Sequence, residues 1–252
     1  MGHLFLREGE SVNAPAPPVE RVGPDSLYCG ADLVERVRRC PVEQEIGSHT
    51  FFHIEMDESK CAPSTAEADV AECARQARRW GVEMKSFIFP RNLVGHLDIL
   101  KRYGFTCYRG PEPQWYANKS RLVRRLGHLL EILAMKTPPS VTVSEHDGMW
   151  NIPGSMLYTP SWGSRRYLPV WMRVLRAKRG LDNAARNGEI FHLWFHPTDL
   201  AGRPKAMLDG LRQIFEYAAK LRAAGRLEVR PMQDLAPDAV RAHSEDKEQV
   251  FA

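Results

Sequence analysis

The sequence of 252 residues lacks any apolar run near the ~20 residues needed to cross a bilayer, so we predict no membrane span. Residues 1–8 have no long apolar core, because Arg7 and Glu8 interrupt the run, and this is not the pattern of a usual secretory signal. Hydrophobic residues make up 43% and charged residues 26% of the chain, a balance typical of globular and not of disordered proteins. We therefore expect a globular, cytoplasmic protein.

Cysteine is scarce and follows no recognisable spacing. The five cysteines are odd in number and form no C-x-x-C pair, so they outline neither a disulfide framework nor a structural zinc site. Because no export signal is predicted, we expect the thiols to be reduced.

The sequence also lacks a strong charge of one sign, since the net charge is +4 and the pI is near 8.8. One dense basic cluster on a helical pattern consists of Arg121, Arg124 and Arg125. We interpret it as a solvated helix face and predict no nucleic-acid partner. The alternative, a basic scaffold or nucleic-acid binder, would require DNA binding that weakens steeply with salt.

Helical patterns alternate with short apolar segments along the chain, which favours crossover connections and hence a parallel sheet. Five or six such units suggest an open or closed β/α barrel, whose functional residues lie at the carboxyl ends of the strands. In this interpretation residues 1–235 form the domain and residues 236–252 a charged tail. Ser64 and Glu67 form a capping box at the second helix. The predicted helices are 31–39, 64–80, 93–103, 120–135, 170–186 and 205–224, the predicted strands are 87–89, 105–108, 141–144, 190–195 and 227–229, and the predicted loops are 9–28 and 147–162.

The segment from Gly47 to His53 is the sharpest local feature of the sequence. His49 and His53 are four residues apart, so on a helical turn both imidazoles lie on one face and can share a metal ion. Ser48 is the predicted N-cap of that turn. The alternative interpretation is a pair of surface histidines, because a bare H-x-x-x-H pattern often arises by chance.

A second segment with histidines, residues 189–197, has the pattern of a buried strand. His192 and His196 share one face of this strand but would lie ~13 Å apart, too far to bind one metal together. His196, at the end of the strand, is the candidate catalytic residue. We interpret His192 as a hydrogen-bonded core residue.

Two arginines directly follow predicted strands. Arg91 comes after the strand at 87–89, and Arg109 after the strand at 105–108. In a β/α barrel an arginine at this place faces the mouth, where it can bind an acid or a substrate oxygen. An arginine on a solvated loop is the alternative for both positions.

Taken in order, these segments resemble the motifs of the polysaccharide deacetylases of carbohydrate esterase family 4, which include the chitooligosaccharide deacetylases. His49, Thr50 and His53 match the second motif, H-[ST]-x-x-x-H or H-[ST]-x-x-H. The segment from Leu193 to Pro197 matches the last motif, an apolar strand ending in Leu-x-x-His. The segment from Ile88 to Arg91 matches the third motif, Arg-x-Pro-Tyr, loosely.

The resemblance covers about residues 1–230 and implies an incomplete, distorted parallel β/α barrel that removes N-acetyl groups from amino-sugar oligomers or polysaccharides. It implies that His49 and His53 bind a divalent metal, usually zinc. It also implies that the backbone N–H near Arg91 helps to bind the oxyanion and that His196 protonates the leaving amine as general acid. The residues assigned to substrate binding are Thr50, Trp194 and Arg109.

One departure from the family pattern bears directly on the chemistry. The first motif, a Thr-Phe-Asp-Asp strand, supplies the catalytic base and the third metal ligand, but the sequence has no Asp-Asp pair. Residues 1–6 look like the end of the family's second strand, so the chain resembles a deacetylase that begins one strand late. Two ligands are one fewer than in the usual catalytic zinc site, so we expect weak metal binding and little or no hydrolysis. The acids considered as replacements are Glu45, Glu55 and Asp57.

The alternative function is a catalytically inactive remnant or a carbohydrate-binding protein of the same fold. Such a protein would keep an aromatic groove without the hydrolytic chemistry. Three tryptophans near predicted strand ends either stack on sugar rings or pack in the core: Trp115, Trp150 and Trp194.

Overall fold

The computed structural model describes residues 31–42, 44–114, 116 and 119–236. The chain divides into two compact units, with the boundary between Ile46 and Gly47. In the described part of the first unit, helix α1 spans Ala31–Arg38, as predicted. The strand predicted at 1–6, the loop predicted at 9–28, Trp115 and residues 237–252 of the tail lie outside the described residues.

The described residues of the second unit contain six short strands. The first four form one sheet in the order β1-β2-β4-β3, and the other two form a parallel pair. Within the larger sheet β1, β2 and β4 are parallel, whereas β3 and β4 form an antiparallel hairpin. The fold is thus mixed α/β with a parallel-rich sheet, and no closed barrel is present among the residues described. The strands are β1 (Ser86–Ile88), β2 (Cys107–Arg109), β3 (Ser144–His146), β4 (Met149–Asn151), β5 (Met156–Leu157) and β6 (Leu193–Trp194).

All five helices predicted for the second unit are confirmed, with shifts at their ends. Gly81 ends α2 in the left-handed region (φ 58°), as the sequence predicts for a helix stop. The helix predicted at 93–103 is shorter in the structure. Residues 90–92 form a 3-10 turn, and α3 begins only at Leu97. Within the described residues, no helix is long and apolar enough to cross a membrane. The helices are α2 (Pro63–Trp80), α3 (Leu97–Arg102), α4 (Arg121–Leu133), α5 (Val170–Asn187) and α6 (Pro204–Ala223).

The described residues form three apolar cores, and the two larger ones hold most of the strands in place. The first joins α2, β1 and α3 through the fully buried side chains of Val70, Phe87 and Leu100. The second joins β5 to α5 and α6, and in it the hydroxyl of Tyr158 donates to the carbonyl of Met207 at 3.1 Å. Because burying one large apolar side chain contributes ~1.5–3 kcal/mol, these contacts fix the strand ends that carry the polar residues.

The parallel arrangement continues beyond the regular strands. Ser48 forms a parallel bridge with Phe87 of β1. After β4, the N–H of Gly154 donates to the carbonyl of Gly110 at 3.1 Å, which extends the pairing with β2. Strands β4 and β5 are therefore parts of one bent segment that pairs first with β2 and then with β6. As a result, the carboxyl ends of five successive segments lie along one edge.

The loop predicted at 147–162 was wrong, since this segment contains β4 and β5. Gly148 and Pro153 suggested irregular structure throughout. In the structure Gly148 (φ 76°) lies in the hairpin turn between β3 and β4, and Pro153 lies where the segment bends toward β6.

Three further local predictions were wrong. Residues 227–229 form no strand, and the strand predicted at 141–144 reduces to a bridge between Val141 and Ile190 before β3 begins. The capping box is absent from α2, because Pro63 starts the helix with Ala62 as N-cap and no side chain caps it.

Arg173 of α5 is a buried arginine, 3% exposed, that organises the loop after β5. Its guanidinium donates to the carbonyls of Thr159 at 2.8 Å, Pro160 at 2.8 Å, Arg165 at 3.0 Å and Leu168 at 2.6 Å. One side chain thus ties together residues 159–168, which we call the Arg173-bound loop.

Replacing Arg173 with methionine should lower the free energy of unfolding by about 3 kcal/mol, because four carbonyls lose a charged donor while the side-chain volume is nearly kept. Urea unfolding at pH 7 measures the change. Arg179→Met is the matched control: this exposed arginine of the same helix donates to one carbonyl, that of Met135, at 2.8 Å. We expect the control to lose less than ~1 kcal/mol, and equal losses would contradict the organising role of Arg173.

Candidate functional site

The register between neighbouring strands brings the candidate residues to the edge formed by the carboxyl ends of the parallel segments. Ser48, next to His49, lies beside β1, and Ile88 of β1 lies directly beside Arg109 of β2. At the far side of the edge, Trp194 ends β6 and His196 follows it. The candidate side chains therefore come from the ends of several neighbouring parallel segments, which is the placement expected for functional residues of β/α folds.

The imidazoles of His49 and His53 lie close together. Their ring centroids are 5.0 Å apart and the ring planes are inclined by 77°. Two imidazoles bound to one tetrahedral zinc at ~2.0–2.1 Å would have their centroids roughly 5 Å apart. The separation therefore suits a shared metal ion.

The backbone that brings the two rings together is not the predicted helical turn. Ser48 is no N-cap: its N–H donates to the carbonyl of Ser86 at 3.0 Å, so it extends the sheet. Thr50 (φ 62°) and His53 (φ 57°) then adopt the left-handed region, and the Thr50 hydroxyl donates to the carbonyl of His49 at 2.6 Å. We call residues 49–53 the histidine turn.

A backbone hydrogen bond orients the ring of His49. Its Nδ1 lies 2.8 Å from the carbonyl of Ile88, so Nδ1 carries the proton and Nε2 keeps a free lone pair. Metal-binding histidines usually have such a backbone partner on the second nitrogen. Burial lowers the pKa of His49, and nearby His53, Arg109 and His196 lower it further. The ring is therefore held in the neutral form that metal binding needs.

Asp69 of α2 fixes the histidine turn, a role that the sequence analysis missed. Its buried carboxylate accepts the N–H groups of Phe51 at 2.8 Å and Phe52 at 2.9 Å. Cys73 lies one helical turn away, with Sγ 3.8 Å from Asp69 Oδ2, and burial raises the pKa of this thiol to about 11. The available signal was a lone acid on the apolar face of a helix, which is a reason to look for a buried partner.

Arg109 stacks on Trp194 at the centre of the edge. The guanidinium carbon lies 4.2 Å from the centroid of the indole, and Nη2 donates to Asn92 Oδ1 at 3.1 Å. The indole N–H in turn donates to Glu112 at 2.7 Å. Burial lowers the pKa of Arg109 to about 10, so the guanidinium is still charged at pH 7. Two of the three residues assigned to substrate binding, Arg109 and Trp194, therefore form a single stack.

Arg91 lies at the same edge, after β1, but its side chain points into an ion pair. Its Nη1 lies 2.5 Å from Glu55 Oε1, and the Arg91 side chain is 71% exposed. The backbone is the more unusual feature, since Arg91 (φ 56°) and Asn92 (φ 57°) are both left-handed. With Thr50 and His53, four of the seven described non-glycine residues with positive φ lie either in the histidine turn or in the turn after β1. Strained backbone of this kind concentrates at functional sites.

His196 has a buried carboxylate partner that the sequence analysis missed. Asp199 is 4% exposed, and its Oδ2 accepts the backbone N–H of His196 at 2.9 Å and lies 3.2 Å from His196 Nδ1. This contact favours the proton on Nδ1 and leaves Nε2 for chemistry, as in other histidine–carboxylate pairs. The local signal was the Pro197 that opens a short 3-10 turn and places an acid three residues after the histidine.

The part of the chain that the structure describes places no third metal ligand next to the two histidines. Among the described residues, no group of three His, Cys, Asp or Glu side chains is arranged to hold a metal ion. Glu55 is engaged with Arg91 and Lys60, and the hydrogen bond from Arg91 is the main cause of its lowered pKa. Asp57 accepts the N–H and hydroxyl of Ser59, which lower its pKa. Glu45 belongs to the first unit.

Two other candidates contribute to packing. His192 is 7% exposed, and its backbone N–H donates to Ser155 Oγ at 3.0 Å, consistent with the predicted core role. Trp150 is half-buried against the core cluster that contains Cys107.

The lowered pKa of His49 predicts a pH dependence of stability. In the unfolded chain this histidine binds protons near pH ~6.5, whereas the folded chain resists protonation until lower pH. The unfolded state therefore holds more protons between these two values, and the free energy of unfolding should fall as the pH drops through them. Urea unfolding at pH 7.5 and 5.5 measures this fall, which should be smaller in His49→Asn, whose amide can still donate to Ile88. An identical fall in both proteins would argue against a depressed pKa.

The chain was also compared with known proteins. A scan against protein-family models gave no match, and a search of curated protein sequences gave none either.

Proposed function

We propose that the protein is a metal-dependent hydrolase of carbon–nitrogen bonds that removes N-acetyl groups from amino-sugar oligomers or polysaccharides. The observation that carries this proposal is the His49–His53 pair, whose rings are spaced for one metal ion while Ile88 fixes the free nitrogen of His49. The resemblance to polysaccharide deacetylases supplies the reaction class and the distorted β/α barrel as the finer description of the fold.

The two histidines supply part of a zinc site. Two imidazoles, of which that of His49 is oriented by a backbone carbonyl, are suitable ligands. In metal-dependent hydrolases a bound metal would polarise an amide carbonyl and lower the pKa of water. The third ligand and the base have no counterpart among the residues described. We therefore expect the two histidines to bind zinc weakly.

The remaining residues have roles that follow from their positions. His196, oriented by Asp199, can donate a proton from Nε2 to a leaving amine. The rings of Trp194 and His196 have centroids 5.7 Å apart, so a sugar held near the indole lies within reach of the acid. Arg109 supplies a fixed positive charge at the same place. In this proposal the backbone at Arg91 faces the oxyanion.

A carbohydrate-binding protein of the same fold is the second candidate. The absence of a three-ligand cluster in the described part of the chain favours it, because binding a glycan on the Trp194 stack needs neither metal nor base. Acetate release separates the two candidates.

The first experiment measures zinc binding and acetate release by the full chain and by His49→Ala. We expect weak zinc binding that is lost on dialysis, slow acetate release from N-acetylglucosamine oligomers with added zinc, and a loss of both in the variant. His146→Ala is the matched control, since this exposed histidine of β3 contacts Ser144 Oγ and lies outside the site.

The outcomes lead to different conclusions. Acetate release that depends on His49 supports the hydrolase. Zinc binding without any acetate release, from a folded chain, supports the carbohydrate-binding alternative. Failure of the wild-type protein to bind zinc at all would contradict a metal-dependent site.

A second experiment tests the support of the histidine turn. Asp69→Asn keeps the shape of the side chain but leaves one of the two N–H groups without a carboxylate oxygen. Because changing a residue that holds metal ligands in place typically costs 10–100-fold in metal affinity, we expect zinc binding about tenfold weaker by calorimetry. Glu72→Gln, on the exposed side of the same helix and paired with Arg75, should bind zinc like the wild type. Unchanged binding by Asp69→Asn would show that the turn does not depend on this carboxylate.

A further inference from the structure

The Arg173-bound loop presents large aromatic side chains to solvent. Trp162 is 53% exposed and Tyr167 is 73% exposed, although Arg173 holds the backbone on both sides of them. An exposed tryptophan on a mobile segment would be unremarkable. On a loop that four hydrogen bonds order, the ring is kept in position at the surface, which is typical of a binding residue.

The loop is joined directly to the segment that carries His196. Ser161, next to Trp162, donates to the carbonyl of Asp199 twice, from its N–H at 2.9 Å and from its hydroxyl at 3.0 Å. The carboxylate of the same Asp199 orients His196. A Cβ at Gly202 would collide with the Ser161 carbonyl, so the two segments are closely packed. Trp162 therefore directly follows a residue that hydrogen-bonds the segment carrying His196.

We propose that Trp162 forms a glycan subsite, in which its indole stacks on a sugar unit of the same chain that reaches His196. This inference rests on the proposed function and adds a preference for longer oligomers. Tyr167 is a poorer platform, because the guanidinium carbon of Arg166 already lies 4.7 Å from its ring centroid.

The composition around the loop favours a glycan over an apolar partner. Residues 155–181 contain six lysines and arginines and no acid, and two of these arginines, Arg165 and Arg166, belong to the Arg173-bound loop itself. The C–H faces of a pyranose stack on an indole, while its hydroxyl oxygens accept hydrogen bonds from arginine. A protein partner would more often require a continuous apolar patch.

Calorimetry with N-acetylglucosamine oligomers tests the subsite in the full chain. Relative to wild type, Trp162→Ala should bind the hexamer about tenfold more weakly, since a buried tryptophan contact typically contributes this much, and should bind the dimer unchanged. Trp162→Phe, which keeps an aromatic face, should retain most of the affinity for the hexamer. Trp171→Ala is the matched control, because this tryptophan is 60% exposed on α5 but lies outside the loop.

Zinc binding of each variant is measured in parallel and should equal that of the wild type. If Trp162→Ala binds the hexamer as tightly as the wild type, the subsite is overturned while the proposed function stands. If the variant weakens the hexamer and the dimer equally, the dependence on chain length is overturned. If the wild type binds no hexamer although zinc binds normally, the proposed substrate class is overturned, and the subsite with it.

Discussion

The parallel register of neighbouring strands is the constraint on which the candidate site depends. Because Ile88 lies beside Arg109, the carbonyl that orients His49 and the guanidinium that stacks on Trp194 come from adjacent strands. A slip of one residue would turn Arg109 to the opposite face of the sheet. The register is in turn held by buried apolar side chains such as Phe87, so packing in the core decides where the polar groups at the edge lie.

Buried charges at this edge are satisfied largely by the backbone. Asp69 accepts two N–H groups, Arg173 donates to four carbonyls, and Asp199 accepts the N–H of His196. A buried ion that binds backbone groups specifies the path of a loop, whereas an exposed ion pair contributes little. This explains how loops with several left-handed residues keep a defined shape next to the strands.

The sequence predicts the helices better than the strands for a physical reason. Helices such as α2 and α5 have long apolar stripes and glycine stops, and these local signals survive in the folded chain. Strands of two or three residues are too short to show a periodic pattern of apolar residues. Pro153 therefore led to the prediction of a loop where β4 and β5 lie. Pairing with distant segments, which a single sequence does not show, creates these strands.

The candidate site, too, was predicted from the sequence only in part. Spacing alone pointed to His49 and His53, although a left-handed turn and not a helix brings the rings together. Asp69, Asn92 and Asp199 were missed because their partners are backbone groups or side chains remote in sequence, as for Asp69 and Phe51. Residues with reactive or metal-binding side chains can thus be recognised from sequence. The residues that hold them in place are identified only when the fold is known.

The thiol of Cys73 has a consequence for the redox behaviour of the protein. With a pKa of about 11, it is almost entirely protonated at neutral pH, and the thiolate is the form that reacts with oxidants and alkylating agents. The half-buried Cys40 should react well before it. The sulfur beside Asp69 is therefore chemically inert, so the support of the histidine turn is protected from oxidative damage although a cysteine lies in contact with it.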